Sequence, residues 1–472
     1  MAKRVATGEG AGGCAVWQAT GCGEGQATMK RVNHRDAKAM YREKLRTPQE
    51  AAALVQREDT LAVPIATGQP TAFLTALGER DDWTNLVLFS ALMIRPYALL
   101  QKPGVRLISG FFGPIERMMK AAGARIDYLP ADFLGWERYA RLMPPRVMAS
   151  AFAPMDDHGY LNFGLHAGAT FHAFVAAARD PNRLAIAEVN TTMPQVCGLA
   201  RFGGHRIHIS EVDCIIETDE PVFELPEEPV TDQDRAIAEY VERLIDNGAT
   251  LQIGIGGVPN IVAKLLAEGK KGDFGIHTEM LVNGIMHLHQ AGKVTNHKGV
   301  FDGFSVATFC AGSRKLYDWV HRNPEVRMLP VTYVNDPAII RRNRAMVSIN
   351  GALAIDLSGQ VMADTIGPRQ YSGVGGHELF VIGAHDSEGG KSFICLHSTA
   401  KAGGQRVSTI VASFAPGTPT TTPRHHVQYV VTEYGAVNLS LLTDAERAHA
   451  LVEIAHPDFR EELREAVRQR FG

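Results

Sequence analysis

The chain has 472 residues, of which 48 are Lys or Arg and 51 Asp or Glu, giving a formal charge of −3, with 21% charged and 45% hydrophobic residues. Such a balance supplies core for more than one domain and excludes broad electrostatic attachment to nucleic acid or an anionic membrane. Six scattered cysteines, with no CxxC pair or zinc-ligand spacing, read as thiols of a reducing cytoplasm, and no apolar run approaches the roughly 20 residues of a bilayer span.

Residues 1–34 are Gly-rich and read as a flexible tail. The tail holds Gly8-Glu9-Gly10-Ala11-Gly12-Gly13, a literal GxGxxG, but the seven residues before it are too few for the strand a dinucleotide fingerprint needs. Met29 is a second candidate start. From about Thr47, short apolar strands alternate with helical stretches, the pattern of an α/β fold. A strand is predicted over 61–66, a break at Gly68-Gln69-Pro70 and a helix over 71–77; 86–94 reads as a buried strand, and 105–113, 123–129 and 145–153 as strand-and-turn units. The segment 221–229, with three prolines and three glutamates, breaks both periodicities and is predicted to link an N-terminal domain, 35–225, to a C-terminal one, 226–472. A helix follows, capped by Thr231 or Asp232, with Ile237, Val241, Leu244 and Ile245 on one face and Asn247-Gly248 as a left-handed stop.

The second half then echoes the first. A strand over 251–255, a break at Gly256-Gly257-Val258-Pro259 and a helix over 260–266 repeat the order at 61–77, about 190 residues later (61 to 251). Met148 leading to Asp156-Asp157-His158-Gly159 is likewise repeated by Met346 leading to Asp356-Leu357-Ser358-Gly359. Duplication explains both echoes; chance likeness between α/β units is the alternative.

Chemistry concentrates in the second half. A strand that ends in glycine and turns into a helix aims N–H groups at one point beside a positive dipole end, so Gly254-Ile255-Gly256-Gly257-Val258-Pro259 is either an anion site or simply a tight turn. Glu279, within His277-Thr278-Glu279-Met280, is expected where a strand hands over to a helix. There it either balances the helix dipole beside a Thr278 cap or acts as a nucleophile kept ionised by that dipole. Tyr371-Ser372-Gly373-Val374-Gly375-Gly376-His377 is a turn or an oxyanion hole, and Lys401 in a Gly-flanked loop meets a phosphate or solvent. His287 and His289, two apart, cannot share a metal on a helix, and His425-His426 has no acidic partner motif nearby, so no catalytic metal is expected.

In order, Gly254 to Pro259, His277 to Met280, Val334-Asn335-Asp336-Pro337, Ser348-Ile349-Asn350 with Asp356, Ser372 to Gly376, Ser398-Thr399, Val431-Thr432-Glu433-Tyr434-Gly435 and Ile454-Ala455-His456-Pro457-Asp458-Phe459-Arg460 resemble the acetyl-CoA hydrolase/transferase family, its 4-hydroxybutyrate and butyryl-CoA:acetate CoA-transferases above all. The resemblance implies two similar open, mostly parallel α/β domains of the CoA-transferase type with the active site at their interface. It also implies a cytoplasmic homodimer that binds no permanent cofactor and uses coenzyme A, an acyl-CoA and a small carboxylic acid as substrates. Glu279 would be the covalent nucleophile, passing through an acyl-glutamyl anhydride and a glutamyl-CoA thioester. Val258 and Gly376 would supply oxyanion N–H groups; Asn335 and Glu433 would line the reacting centre. Gly254, Ile255, Gly256, Gly257, Val258, Asn350, Gly375, Gly376 and Lys401 would contact CoA. Hydrolysis by the same glutamate and acyl-CoA sensing without catalysis are the rival functions. The chain departs from the family pattern at Leu379, where many members are acidic, at Ile65, where some hydroxybutyrate enzymes have histidine, and at Gln69, where a glutamate is usual.

Overall fold

A computed structural model describes residues 34–226, 229–254 and 256–472, the side chains of His34 and Arg35 excepted. The GxGxxG tail, Met29 and Ile255 lie outside the described residues.

The first half builds a seven-stranded sheet from β1 (Glu58–Ala62), β2 (Asn85–Ser90), β3 (Val105–Ser109), β4 (Ile126–Tyr128), β5 (Val147–Phe152), β6 (Leu184–Asn190) and β7 (Cys214–Thr218). Its order is β4-β3-β2-β1-β5-β6-β7, and every pairing is parallel. β5 is buried along its whole length, as a parallel strand covered on both faces must be. β1 stops short of the predicted 61–66 because Pro64 has no N–H for the ladder, and the chain bends through a short 3₁₀ turn, Ala66–Gly68. Helix α1 (Thr71–Gly78) then starts where the sequence places it.

The second half repeats this plan with β8 (Thr250–Ile253), β9 (Gly275–Ile276), β10 (Met346–Gly351), β11 (Lys391–Cys395), β12 (Tyr429–Thr432) and β13 (Gly435–Asn438), ordered β9-β8-β10-β11-β12-β13. Only the β12–β13 edge is antiparallel. In each sheet the first strand lies between the next strand of its own half and one reached by a long crossover: β1 between β2 and β5, β8 between β9 and β10. The Asp-Gly echoes are the same hairpin built twice. Asp156 Oδ1 accepts from the His158 and Tyr160 amides, Asp356 Oδ1 from those of Ser358 and Gln360, and Gly159 and Gly359 both take positive φ, +82° and +90°.

Helix α2 (Phe133–Leu142) covers the first sheet's C-terminal edge, and α3 (Asp232–Leu244) opens the second half. Thr231 and Asp234 form the reciprocal capping box of α3, with Ile237 and Val241 buried beneath it. The stop comes earlier than Asn247-Gly248: buried Ile245 is already extended, and Gly248, at φ +72°, turns the chain toward β8. The largest apolar core joins both halves, Phe152, Phe163 and Phe174 packing in one cluster with Leu251, Leu281 and Phe393. Among the described residues no helix is long and apolar enough to cross a membrane, and Cys197, Cys214, Cys310 and Cys395 are free thiols.

Candidate active site

Ligands of open α/β sheets bind beyond the carboxyl ends of the strands, where strand order reverses. Here those points are the ends of β1 and β5 in one sheet and of β8 and β10 in the other. The structure develops both.

Glu279 lines a cavity with Val63, Pro64 and Ile65, just past β1, and its neighbour Thr278 bonds the Ile253 carbonyl at the end of β8. Two residues before Glu279, His277 is fully buried and donates from Nε2 to the Val334 carbonyl at 2.8 Å, while Nδ1 meets Asn343 Nδ2 at 3.2 Å. Burial pushes this ring down to about 3, so it is neutral and serves as a fixed strut. The strut carries Val334 and hence Asn335, whose Nδ2 donates to Glu279 Oε2 at 2.5 Å. Thr278 is not a helix cap; its hydroxyl donates to the Ile253 and Met280 carbonyls. Helix α4 (Gly257–Glu268) lies before Glu279, and α5 (Asn283–Gln290) begins four residues beyond it. The expected dipole stabilisation of the carboxylate is therefore absent. Burial instead raises the Glu279 carboxyl to about 7, opposed by the Asn335 hydrogen bond and reinforced by the negative charge of Asp132 at the start of α2.

Gly376 closes the other side, as N-cap of α6 (His377–His385). A β-carbon there would overlap Glu279 Oε2 and stand 2.5 Å from Asn335 Nδ2, so a larger residue would displace these two side chains. The helix has no side-chain cap, and its first amide, that of His377, donates to the Val374 carbonyl. The neighbouring Gly375 takes φ +55°, and its carbonyl accepts from Phe133 N at 2.9 Å, tying this loop to α2 of the first half.

The remaining expected residues gather elsewhere. Gly256, at φ +115°, turns β8 into α4, a helix also without a side-chain cap. Gly257 lies against Asp234, which accepts from His397 Nε2 at 2.8 Å. Val258 is buried in the first turn, and Gly254 ends the strand. His397 and Lys401 line one opening, Lys401 being exposed on the hairpin Thr399–Ala402/Gln405–Ser408. Glu433 accepts from both the amide and the hydroxyl of Ser398, at 2.8 and 2.7 Å, and so shapes the wall of this opening. Asn350 ends β10 with its buried Nδ2 unpartnered. Glu279, Asn335, Gly375 and Gly376 thus form one cluster; Gly257, Asp234, His397 and Lys401 surround another.

The corresponding helix start in the first half is closed. Glu188 accepts from the Phe73 and Ala72 amides of α1 at 2.8 and 3.2 Å, filling the place left open at α4. Histidines 287 and 289 both lie on α5, with His289 Nε2 on Ser305 Oγ. His426 does have an acidic partner, Glu378 Oε1 at 2.5 Å, brought by the fold from 48 residues away. The first half contributes what motif reading did not find: Asp132, and a cavity that runs from Glu279 and Gly375 along α2. No local pattern announces residues that meet only through tertiary packing.

The acetyl-CoA hydrolase/transferase N-terminal domain matches residues 148–226 and the C-terminal domain residues 312–467. The chain is 40% identical over 434 residues to succinyl-CoA:cyclohexane-1-carboxylate CoA transferase of Geobacter metallireducens, covering 91% of this chain and 96% of that one. It is 37% identical over 440 residues to 4-hydroxybutyrate coenzyme A transferase of Clostridium kluyveri, covering 92% and 99%. A solved 4-hydroxybutyrate CoA-transferase of Porphyromonas gingivalis superposes with a TM-score of 0.74 at 32% identity, covering 92% of this chain and all of that one. Matched over nine tenths of its length by CoA-transferases, the chain belongs to the acetyl-CoA hydrolase/transferase family, as an enzyme of the CoA-transferase kind.

Proposed function

We propose that the protein moves CoA between an acyl-CoA and a carboxylic acid with Glu279 as the covalent carrier. The observation that carries this reading is a carboxylate held by Asn335, against a bare glycine helix start, in the wall of a largely apolar cavity. Glu279 Oε attacks the thioester carbonyl, the C–S bond breaks, and CoA leaves as thiolate with an acyl-glutamyl anhydride behind it. The thiolate then attacks the glutamyl carbonyl, expelling the first acid as its carboxylate and leaving a glutamyl-CoA thioester. An incoming carboxylate reverses both steps. No proton is taken from carbon, and CoA enters and leaves as substrate.

The Gly376 amide, with that of Val258 as second donor, stabilises the oxyanion, and Asn335 holds the attacking carboxylate. CoA runs from this centre over the Gly254–Val258 turn toward Lys401, with Asn350 along the way. The open start of α4 supports this course, against the Glu188-filled start of α1. One sheet on each side of residues 225 and 226 supports the two-domain division. The acids in the relatives' names run from 4-hydroxybutyrate to cyclohexane-1-carboxylate, and short acids such as acetate and butyrate fit the same chemistry.

Initial-rate kinetics with acetyl-CoA and an acid test the reading. Parallel double-reciprocal lines, with acyl transfer exceeding release of free CoA, are expected. Intersecting lines, CoA release that dominates for every acid, or acyl-CoA binding without turnover would each contradict it.

A further inference from the structure

The cavity beside Glu279 is more apolar, and longer, than a short or polar acid requires. From Phe133, tied to Gly375 next to the nucleophile, its wall follows α2 through Trp136 and Ala140 to Met143. Phe133, Trp136 and Ala140 are three or four residues apart and so share one helix face, which at 1.5 Å per residue runs about 10 Å, with Met143 just past its end. Phe111 and Ile65 face them across the space. The cavity measures about 120 Å³, of the order of the ~150 Å³ apolar cavity that takes up benzene.

Its polarity points the same way. Among the lining residues Glu279 has the only charged side chain, so the distal carboxylate of a dicarboxylic acid would meet no cation. Ser90 is occupied by the Pro64 carbonyl and Thr170 by His166 Nδ1. Two buried ring nitrogens have no partner, Trp136 Nε1 and His166 Nε2. Each abuts a glycine: a β-carbon on Gly110 would overlap the first, and one on Gly168 would stand 2.5 Å from the second. Burial keeps the His166 ring neutral, pushed down to about 3. Polar groups are few along this wall, the Tyr139 hydroxyl among them, whereas a hydrocarbon finds contact throughout.

We infer that the preferred acid is a monocarboxylic acid with a hydrocarbon tail of about six carbons, chain or ring, its carboxylate at Glu279 and its tail along α2. This rests on the CoA transfer proposed above. The test is kcat/KM for hexanoate, benzoate, acetate, 4-hydroxybutyrate and succinate with acetyl-CoA as donor, on the full-length protein and on Ala140→Phe. Hexanoate or benzoate should exceed acetate, 4-hydroxybutyrate and succinate by at least about tenfold, the discrimination that added methylenes give in an apolar pocket. Ala140→Phe should lower the hexanoate-to-acetate ratio by at least about tenfold, a ratio that overall loss of folded protein leaves unchanged. If a short, hydroxylated or dicarboxylic acid equals or exceeds hexanoate, or the ratio does not move, the inference is overturned while CoA transfer stands. If water is the only acceptor, CoA transfer fails instead, and faster hydrolysis of hexanoyl-CoA than of acetyl-CoA still supports the tail site; the reverse order overturns it.

Discussion

Glu279 is asked to be both buried and ionised. Burial alone would make it a weakly acidic, mostly protonated group below neutrality, and its carboxyl indeed sits at about 7. Two neighbours adjust that value in opposite senses: Asn335 lowers it through a hydrogen bond and the charge of Asp132 raises it. Because only the carboxylate attacks, kcat/KM for the acyl-CoA should climb with pH through about 7 and level off above it. Asp132→Asn keeps a residue able to cap α2 but removes the negative neighbour, so the midpoint should move to lower pH. Asn335→Ala removes the donor, so it should move higher. A pH–rate profile of the three proteins checks this; midpoints that coincide, or that shift in the opposite senses, would show that another group controls the rise.

Helix starts distinguish the two halves. α1 has its amides filled by Glu188, whereas α4 and α6 begin at Gly256 and Gly376 with no side-chain cap. A glycine start is tolerated at little cost but brings no side-chain acceptor for the first amides, which suits a place where a ligand completes the cap. Gly376→Ala would push a methyl group onto Glu279 Oε2 and disturb the donor beside it. It should reduce kcat by about 100- to 1,000-fold, the usual effect of losing one oxyanion donor, with the thermal midpoint nearly unchanged. Near-normal kcat in this variant would remove α6 from the reaction. The glycine turn that opens α4, and the Thr231 cap of α3, were legible in the sequence because each rests on residues a few positions apart; the glycines before α6 read only as a turn or an oxyanion loop. The start of α5 was not. Glu279 reads as a dipole-facing helix residue until the bend at 278–279 and the strut from His277 to Val334 show that tertiary contacts hold it outside the helix.

The two sheets repeat one strand order, with the first strand of each half flanked by β2 and β5 in one and by β9 and β10 in the other. The Asp-Gly hairpins made the repetition visible in the sequence, since Asp156 and Asp356 bind backbone amides two and four residues on. The cavity was invisible for the complementary reason. Phe111, Phe133 and Trp136 look like ordinary core residues of an α/β unit, and they become cavity walls only when Phe133 N meets the Gly375 carbonyl and the two halves share one core. Ile65, noticed as a departure from the family pattern, gains its meaning there as an apolar wall. What remains central is the covalent role of Glu279. The most direct measurement incubates the full-length protein with acyl-CoA, adds borohydride, and maps the modified peptide by mass spectrometry. Reduction of the Glu279 side chain from carboxyl to primary alcohol, dependent on acyl-CoA, is the result expected; an active enzyme whose Glu279 peptide stays unmodified while turnover proceeds would contradict the account.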